Sequence, residues 1–246
     1  MMEEEKLPLT SHLEELRRRL VISLIATGIG FIACYGLSER LFLLLSEPLI
    51  KAMPEGSSFI FTGVTEAFFT YLKLAFFAGI FVASPVIIYQ IWAFVAPGLY
   101  DTERKSIMPF VLLGVLFFIG GTAFAYFAVF PQAFKFFMGY NTQYVKIMPS
   151  IGEYLSFSCI FLLGFGIVFE LPVFIICLAR LGIIKHSHLK KYRKMVIIGI
   201  FIAAAILTPT PDAVNQLLMA VPMLILYELS IVAVRFFEKK KEPEID

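Results

Sequence analysis

The chain has 246 residues, of which 59% are apolar or aromatic and only 16% charged, with a mean hydropathy of +0.83. Those values exclude a soluble domain of this size, and 27 Phe with 10 Tyr exclude a solvated, disordered chain. A net charge of +2 supplies no basic stripe for nucleic acid. The relevant unit is therefore the bilayer span of about 20 apolar residues, and about six fit.

The first element is a short amphipathic helix before the membrane. Ser11-His12-Leu13-Glu14 matches a capping box, and Leu9, Leu13, Leu16 and Leu20 recur at helical spacing opposite Glu14, Glu15, Arg17 and Arg18. The N-terminus lacks the basic start and small-residue cleavage site of a removable leader, so the first apolar run is expected to stay as an anchor. Four clear spans follow, at about 20–38, 67–91, 107–130 and 153–179. Ser150-Ile151-Gly152-Glu153 is a second capping box, opening the fourth. The connections 39–66 and 131–152 are long and rich in Leu, Phe and Pro, which predicts structured outer caps with interfacial helices.

Two weaker spans complete the set, at about 195–209 and 214–234. Met195 to Leu207 is only 13 apolar residues, a rise of about 20 Å against a hydrocarbon core of about 30 Å. The last is interrupted by Asn215, Gln216, Pro222 and Glu228, so it too is expected to be short. The tail at 238–246, EKKKEPEID, is expected to be disordered. The fold class is thus an all-α integral membrane protein of six transmembrane helices forming a single domain.

Orientation follows from the basic residues. One side holds Lys6, Arg17, Arg18, Arg19, Arg104, Lys105, Arg180, Lys185, Lys190, Lys191, Arg193, Lys194, Arg235, Lys239, Lys240 and Lys241, sixteen in all. The other holds Arg40, Lys51, Lys73, Lys135 and Lys146. This bias places both termini in the cytoplasm. Cys34, Cys159 and Cys177 lie inside apolar runs and are not expected to pair.

Two features carry chemistry. Glu170 lies inside the fourth span, where a carboxylate costs at least about 2.5–3.5 kcal/mol and needs compensation. It reads as a polar docking point for a partner helix, as part of a proton path, or as a protonated group satisfied within the bundle. The second feature is a set of polar-end carboxylates, Glu14, Glu15, Asp101 and Glu103. A carboxylate accepts a guanidinium fork in two parallel hydrogen bonds, so a pair suits a ligand with two arginines. The same residues can also form ordinary ion pairs with neighbouring bases. His12, His186 and His188 have no partners at metal-ligand spacing, and no nucleophile and base stand at catalytic spacing. No metal, cofactor or enzymatic activity is expected.

Several segments together resemble TatC, the polytopic receptor subunit of the twin-arginine protein translocase. They are His12-Leu13-Glu14-Glu15-Leu16-Arg17-Arg18-Arg19-Leu20, Ser46-Glu47-Pro48-Leu49, Phe94-Val95-Ala96-Pro97-Gly98-Leu99-Tyr100 followed by Glu103-Arg104, Glu170, and Thr208-Pro209 before Pro211-Asp212. The chain departs from the family's TPPD run, reading TPTPDAVNQ with one extra residue. The resemblance implies a prokaryotic cytoplasmic-membrane protein that binds the S-R-R-x-F-L-K signal peptide of folded export substrates. Glu15 and Glu103 would take the two arginines, with Arg17, Leu20, Phe94, Pro97 and Tyr100 on the same surface. It further implies single-span TatA and TatB partners docked at the fifth and sixth spans and Glu170, other TatC copies, outer-cap roles for Pro48 and Asp212, and transport driven by the proton-motive force. The alternative is a proton-coupled secondary transporter in which Glu170 carries the proton. It would require paired inverted repeats.

Overall fold

The computed structural model describes residues 9–54, 58–95, 107–140, 147–180, 182–207 and 213–237. Within them the chain is helical, as a lipid environment demands: every backbone N–H and C=O must be satisfied inside the segment that carries it. The helices are α1 (Leu9–Tyr35), α2 (Ser38–Ala52), α3 (Glu66–Val95), α4 (Ile107–Phe124), α5 (Phe130–Met138), α6 (Ile151–Phe169), α7 (Leu171–Arg180), α8 (His186–Lys191), α9 (Arg193–Leu207) and α10 (Ala213–Phe237). A π-helical turn, Ala125–Val129, fuses α4 to α5.

Five stretches are long and apolar enough to cross a membrane: Ser11–Tyr35, Glu66–Val95, Met108–Met138, Ile151–Arg180 and Gln216–Phe236. Helix α9 has 15 residues, a rise of about 22 Å. Two expectations need correction. Ser11 is already inside α1, whose described part runs from Leu9. The amphipathic segment and the first span are one helix, 27 residues long over its described part.

The sixth segment is not short. It forms a 25-residue helix through every residue that seemed to interrupt it. Gln216 Nε2 donates to the Phe201 carbonyl of α9 at 3.0 Å, and Glu228 pairs with Arg193 Nε at 2.7 Å. The neighbouring Tyr227 hydroxyl donates to the Leu189 carbonyl of α8 at 2.8 Å. Each of these polar groups finds its partner in the neighbouring hairpin, so none breaks the helix.

The bundle is organised by close helix crossings. Helix α1 packs along α3, and a Cβ on Gly30 would lie 2.6 Å from the Gly79 carbonyl oxygen, while one on Gly79 would lie 2.5 Å from the Phe31 nitrogen. Only paired glycines permit that approach, the usual device where apolar burial cannot drive helices together. Helices α4 and α6 meet the same way, Gly121 against Phe165 and Phe169, and Gly166 against the Phe118 ring. Between these crossings runs a ladder of rings: Phe134, Phe130, Phe161 and Phe165 stand at centroid separations of 4.9 Å, 5.5 Å and 4.9 Å in turn. Helix α10 flanks α7 and closes the bundle with α9.

Candidate functional site

At one end of the bundle, the N-terminal turns of α1 lie against the last turns of α3. Residues 12, 15 and 19 share one stripe of α1, and 90 and 94 share one stripe of α3, from the 3.6-residue period. The two stripes meet. The His12 ring stacks on Phe94 at 4.4 Å and 22°. Arg19 Nε and Nη2 donate to Glu15 Oε1 at 3.0 Å and 2.5 Å, and Arg19 Nη1 donates to Gln90 Oε1 at 3.2 Å. Glu15 and Arg19 are half-buried in this seam.

Glu15 and Phe94 are therefore brought together. Arg17 and Leu20 are not on the same stripe: they stand about 200° and 140° round α1 from Glu15 and are exposed. Pro97, Tyr100, Asp101 and Glu103 lie outside the described residues, so the pairing of Glu15 with Glu103 is not described. Asp212 lies outside them too.

Glu170 marks a second candidate site, at the break between α6 and α7. Pro172 lacks an N–H and removes one ladder bond. The Glu170 N–H turns back to the Ile167 carbonyl at 3.1 Å, and the helix resumes with Phe174 N donating to the Glu170 carbonyl at 3.0 Å. Its side chain faces Gly114 of α4, where a Cβ would meet Glu170 Oε2 at 3.2 Å, Trp92 Nε1 at 3.3 Å and Ile88 Cγ2 at 2.9 Å. A missing side chain thus opens a slot in which a carboxylate and an indole N–H converge between α3, α4 and α7. Glu170 Oε1 is buried with no hydrogen-bond partner among the described residues. An orphaned acceptor in lipid is unfavourable by about 1–3 kcal/mol, which makes it a site that a donor from another helix would stabilise.

The opposite end carries α2 and the start of α6. Pro48 is buried in α2 and cannot donate the N–H that would bond to the Leu44 carbonyl. The Tyr126 hydroxyl, on the π turn, donates to that carbonyl at 2.6 Å. Tyr154 Oη donates to the adjacent Leu45 carbonyl, also at 2.6 Å. Glu66, opening α3, accepts from Ser150 Oγ at 2.5 Å and from Gly152 N at 2.8 Å. It also accepts from Thr62 N, Thr62 Oγ1 and Gly63 N. It caps α6 from another helix, beside the Ser150 Oγ that accepts from Glu153 N. Glu47, bonded to Lys51 at 2.6 Å, holds that ammonium above its ordinary pKa through the hydrogen bond and its charge.

The long-range bonds of Arg19 to Gln90, Glu66 to Ser150, Tyr126 to Leu44 and Tyr154 to Leu45 were not foreseen from the sequence. Those partners stand 71 to 109 residues apart, and no local spacing signals them.

Comparison with known proteins agrees with this architecture. The family described as "Sec-independent protein translocase protein (TatC)" matches residues 11–222. The Desulforapulum autotrophicum protein named Sec-independent protein translocase protein TatC is 50% identical over 98% of this chain and 89% of its own. The Escherichia coli K12 protein of the same name is 41% identical over 98% and 93%. A crystal structure described as the twin arginine translocase receptor TatC superposes with a TM-score of 0.83 at 38% identity, covering 92% of this chain and 99% of that one. A second, of TatC in DDM, gives 0.82 at 39% identity over 90% and 98%. The chain belongs to the TatC family of Sec-independent protein translocase proteins.

Proposed function

We propose that this membrane protein is the receptor and core assembly subunit of a twin-arginine translocase, and that the α1–α3 seam receives the paired arginines of a signal peptide. One observation carries the reading: the Glu15 carboxylate already holds a guanidinium, that of Arg19, at the rim of the bundle. The position accommodates the ligand chemistry that an S-R-R-x-F-L-K peptide presents. Glu103 takes the second arginine. Phe94, Pro97 and Tyr100 line the approach, and Arg17 and Leu20 extend the surface along the exposed stripe of α1.

The excess of basic residues puts this end, and both termini, in the cytoplasm. Helix α9 then makes the fifth of six crossings, short enough to require local thinning of the bilayer. Single-span TatA and TatB subunits dock at α9, α10 and the Glu170 slot, where a polar side chain of the partner satisfies Oε1. The α2 end, with Pro48 and Asp212, faces outward and supports assembly with other copies, and the proton-motive force drives transport. Family membership displaces the reading of Glu170 as the proton carrier of a small-solute transporter.

Photo-crosslinking of an Arg-Arg precursor to the full chain in membranes tests the receptor assignment. Glu15→Gln and Glu103→Gln each weaken the crosslink while leaving the protein inserted and folded, and a Lys-Lys precursor crosslinks poorly to the unmodified chain. Undiminished crosslinking in both variants would overturn it.

A further inference from the structure

We propose that Arg19 is an intramolecular stand-in for the ligand: in the unliganded protein its guanidinium occupies the Glu15 carboxylate and must swing away before a passenger arginine can bind. This rests on the reading of Glu15 as a guanidinium acceptor. Arg19 thereby sets the affinity of the site without touching the bound peptide.

All three guanidinium nitrogens of Arg19 are committed, Nε and Nη2 to Glu15 Oε1 and Nη1 to Gln90 Oε1. Both contacts to Glu15 fall on the same oxygen. A forked guanidinium from a ligand needs both carboxylate oxygens in one plane, and with Oε1 already holding two donors that arrangement is closed. Gln90 makes the occupancy more than a passing helix-face pair, since it anchors Arg19 across to α3. The His12–Phe94 stack fixes the register of the same seam. Arg17 and Arg18, by contrast, are exposed. The pair is half-buried, with side chains 21% and 31% exposed, so opening it is a modest and surmountable step. A site available only part of the time binds with an apparent affinity reduced by the fraction open. The device acts on arginine more than on lysine, because an ammonium binds as a point charge and does not need both oxygens.

The test is titration of a fluorescent S-R-R-x-F-L-K peptide against the purified full-length protein in nanodiscs, with Arg19→Gln, Arg19→Lys and Glu15→Gln. Arg19→Gln is expected to bind about threefold to fivefold tighter, the range for a half-exposed pair that must open first. Arg19→Lys keeps the charge but loses the fork and the simultaneous bond to Gln90, and is expected to bind about twofold tighter. The same peptide with Lys-Lys gains less from either change. If Arg19→Lys binds like the unmodified protein or worse, the proposal falls, whether Arg19→Gln acts through net charge or Arg19 is a structural strut. If Glu15→Gln binds as well as the unmodified protein, the receptor reading of Glu15 falls and the proposal with it. Loss of binding in Glu15→Gln without tightening in Arg19→Lys removes the proposal alone.

Discussion

Replacing Tyr126 by Phe removes the hydroxyl that stands in for the backbone N–H that Pro48 lacks. In α2 the donor for the Leu44 carbonyl should be residue 48, and the Tyr126 hydroxyl supplies it at 2.6 Å instead. Without it, the carbonyl loses that donor, and because the bond is exposed the loss is the net worth of one hydrogen bond, about 0.5–1.5 kcal/mol. For a chain of 150–250 residues each kcal/mol corresponds to about 2–4 °C in the midpoint of thermal unfolding. The same midpoint should recover in the Tyr126→Phe/Pro48→Ala double variant, because an alanine in place of the proline restores the missing N–H. Thermal unfolding of the four proteins in one detergent forms a cycle. The expected interaction is about 1 kcal/mol in favour of the double variant. Strict additivity of the two single changes would show that the hydroxyl is not replacing the proline's absent donor.

Three further outcomes follow from the same geometry. Gly30→Ala and Gly79→Ala each place a Cβ within 2.6 Å of facing backbone, an overpacking of about 1–3 kcal/mol. Gly28→Ala, with nothing within 4 Å, leaves the unfolding midpoint unchanged or slightly raised; equal losses at all three positions would contradict the α1–α3 crossing. Glu66→Ala releases five donors from segment 58–66 and the start of α6, so limited proteolysis near that segment accelerates and the midpoint falls. A cleavage rate equal to that of the unmodified protein would refute the cap. Glu170→Ala lowers co-purification of a single-span partner by about threefold, the scale of one interhelical hydrogen bond in lipid, while binding of the Arg-Arg peptide is retained; full recovery of the partner would count against docking there.

The long crossings were legible because each is a continuous apolar run bounded by charge, and length alone then demands a helix. The short α9 was legible for the same reason. What misled was polarity inside α10: Gln216 and Glu228 read as interruptions, yet they are satisfied by the Phe201 carbonyl and by Arg193. Only the folded hairpin brings those partners within reach. The capping box at Ser11 misled because Ser11 lies inside α1, where the apolar stripe of Leu13, Leu16 and Leu20 continues into the span.

At the α1–α3 seam, the local Glu15–Arg19 spacing of four residues was visible, but its meaning depends on Gln90, 71 residues away. The same holds for Pro48. A proline inside a helix signals a lost donor, and nothing nearby in the chain says that a tyrosine 78 positions further on, at the π turn, replaces it.

If Glu15 receives a passenger arginine as proposed, the two form a direct, charge-assisted pair. A double-mutant cycle isolates that contact: titrate peptides in which each arginine in turn becomes citrulline against the unmodified protein and Glu15→Gln, reading the coupling free energy. One of the two arginines is predicted to couple to Glu15 by about 1.5–3 kcal/mol, the scale of a hydrogen bond to a charged group, and the other to show coupling near zero. Coupling near zero for both arginines would contradict the claim.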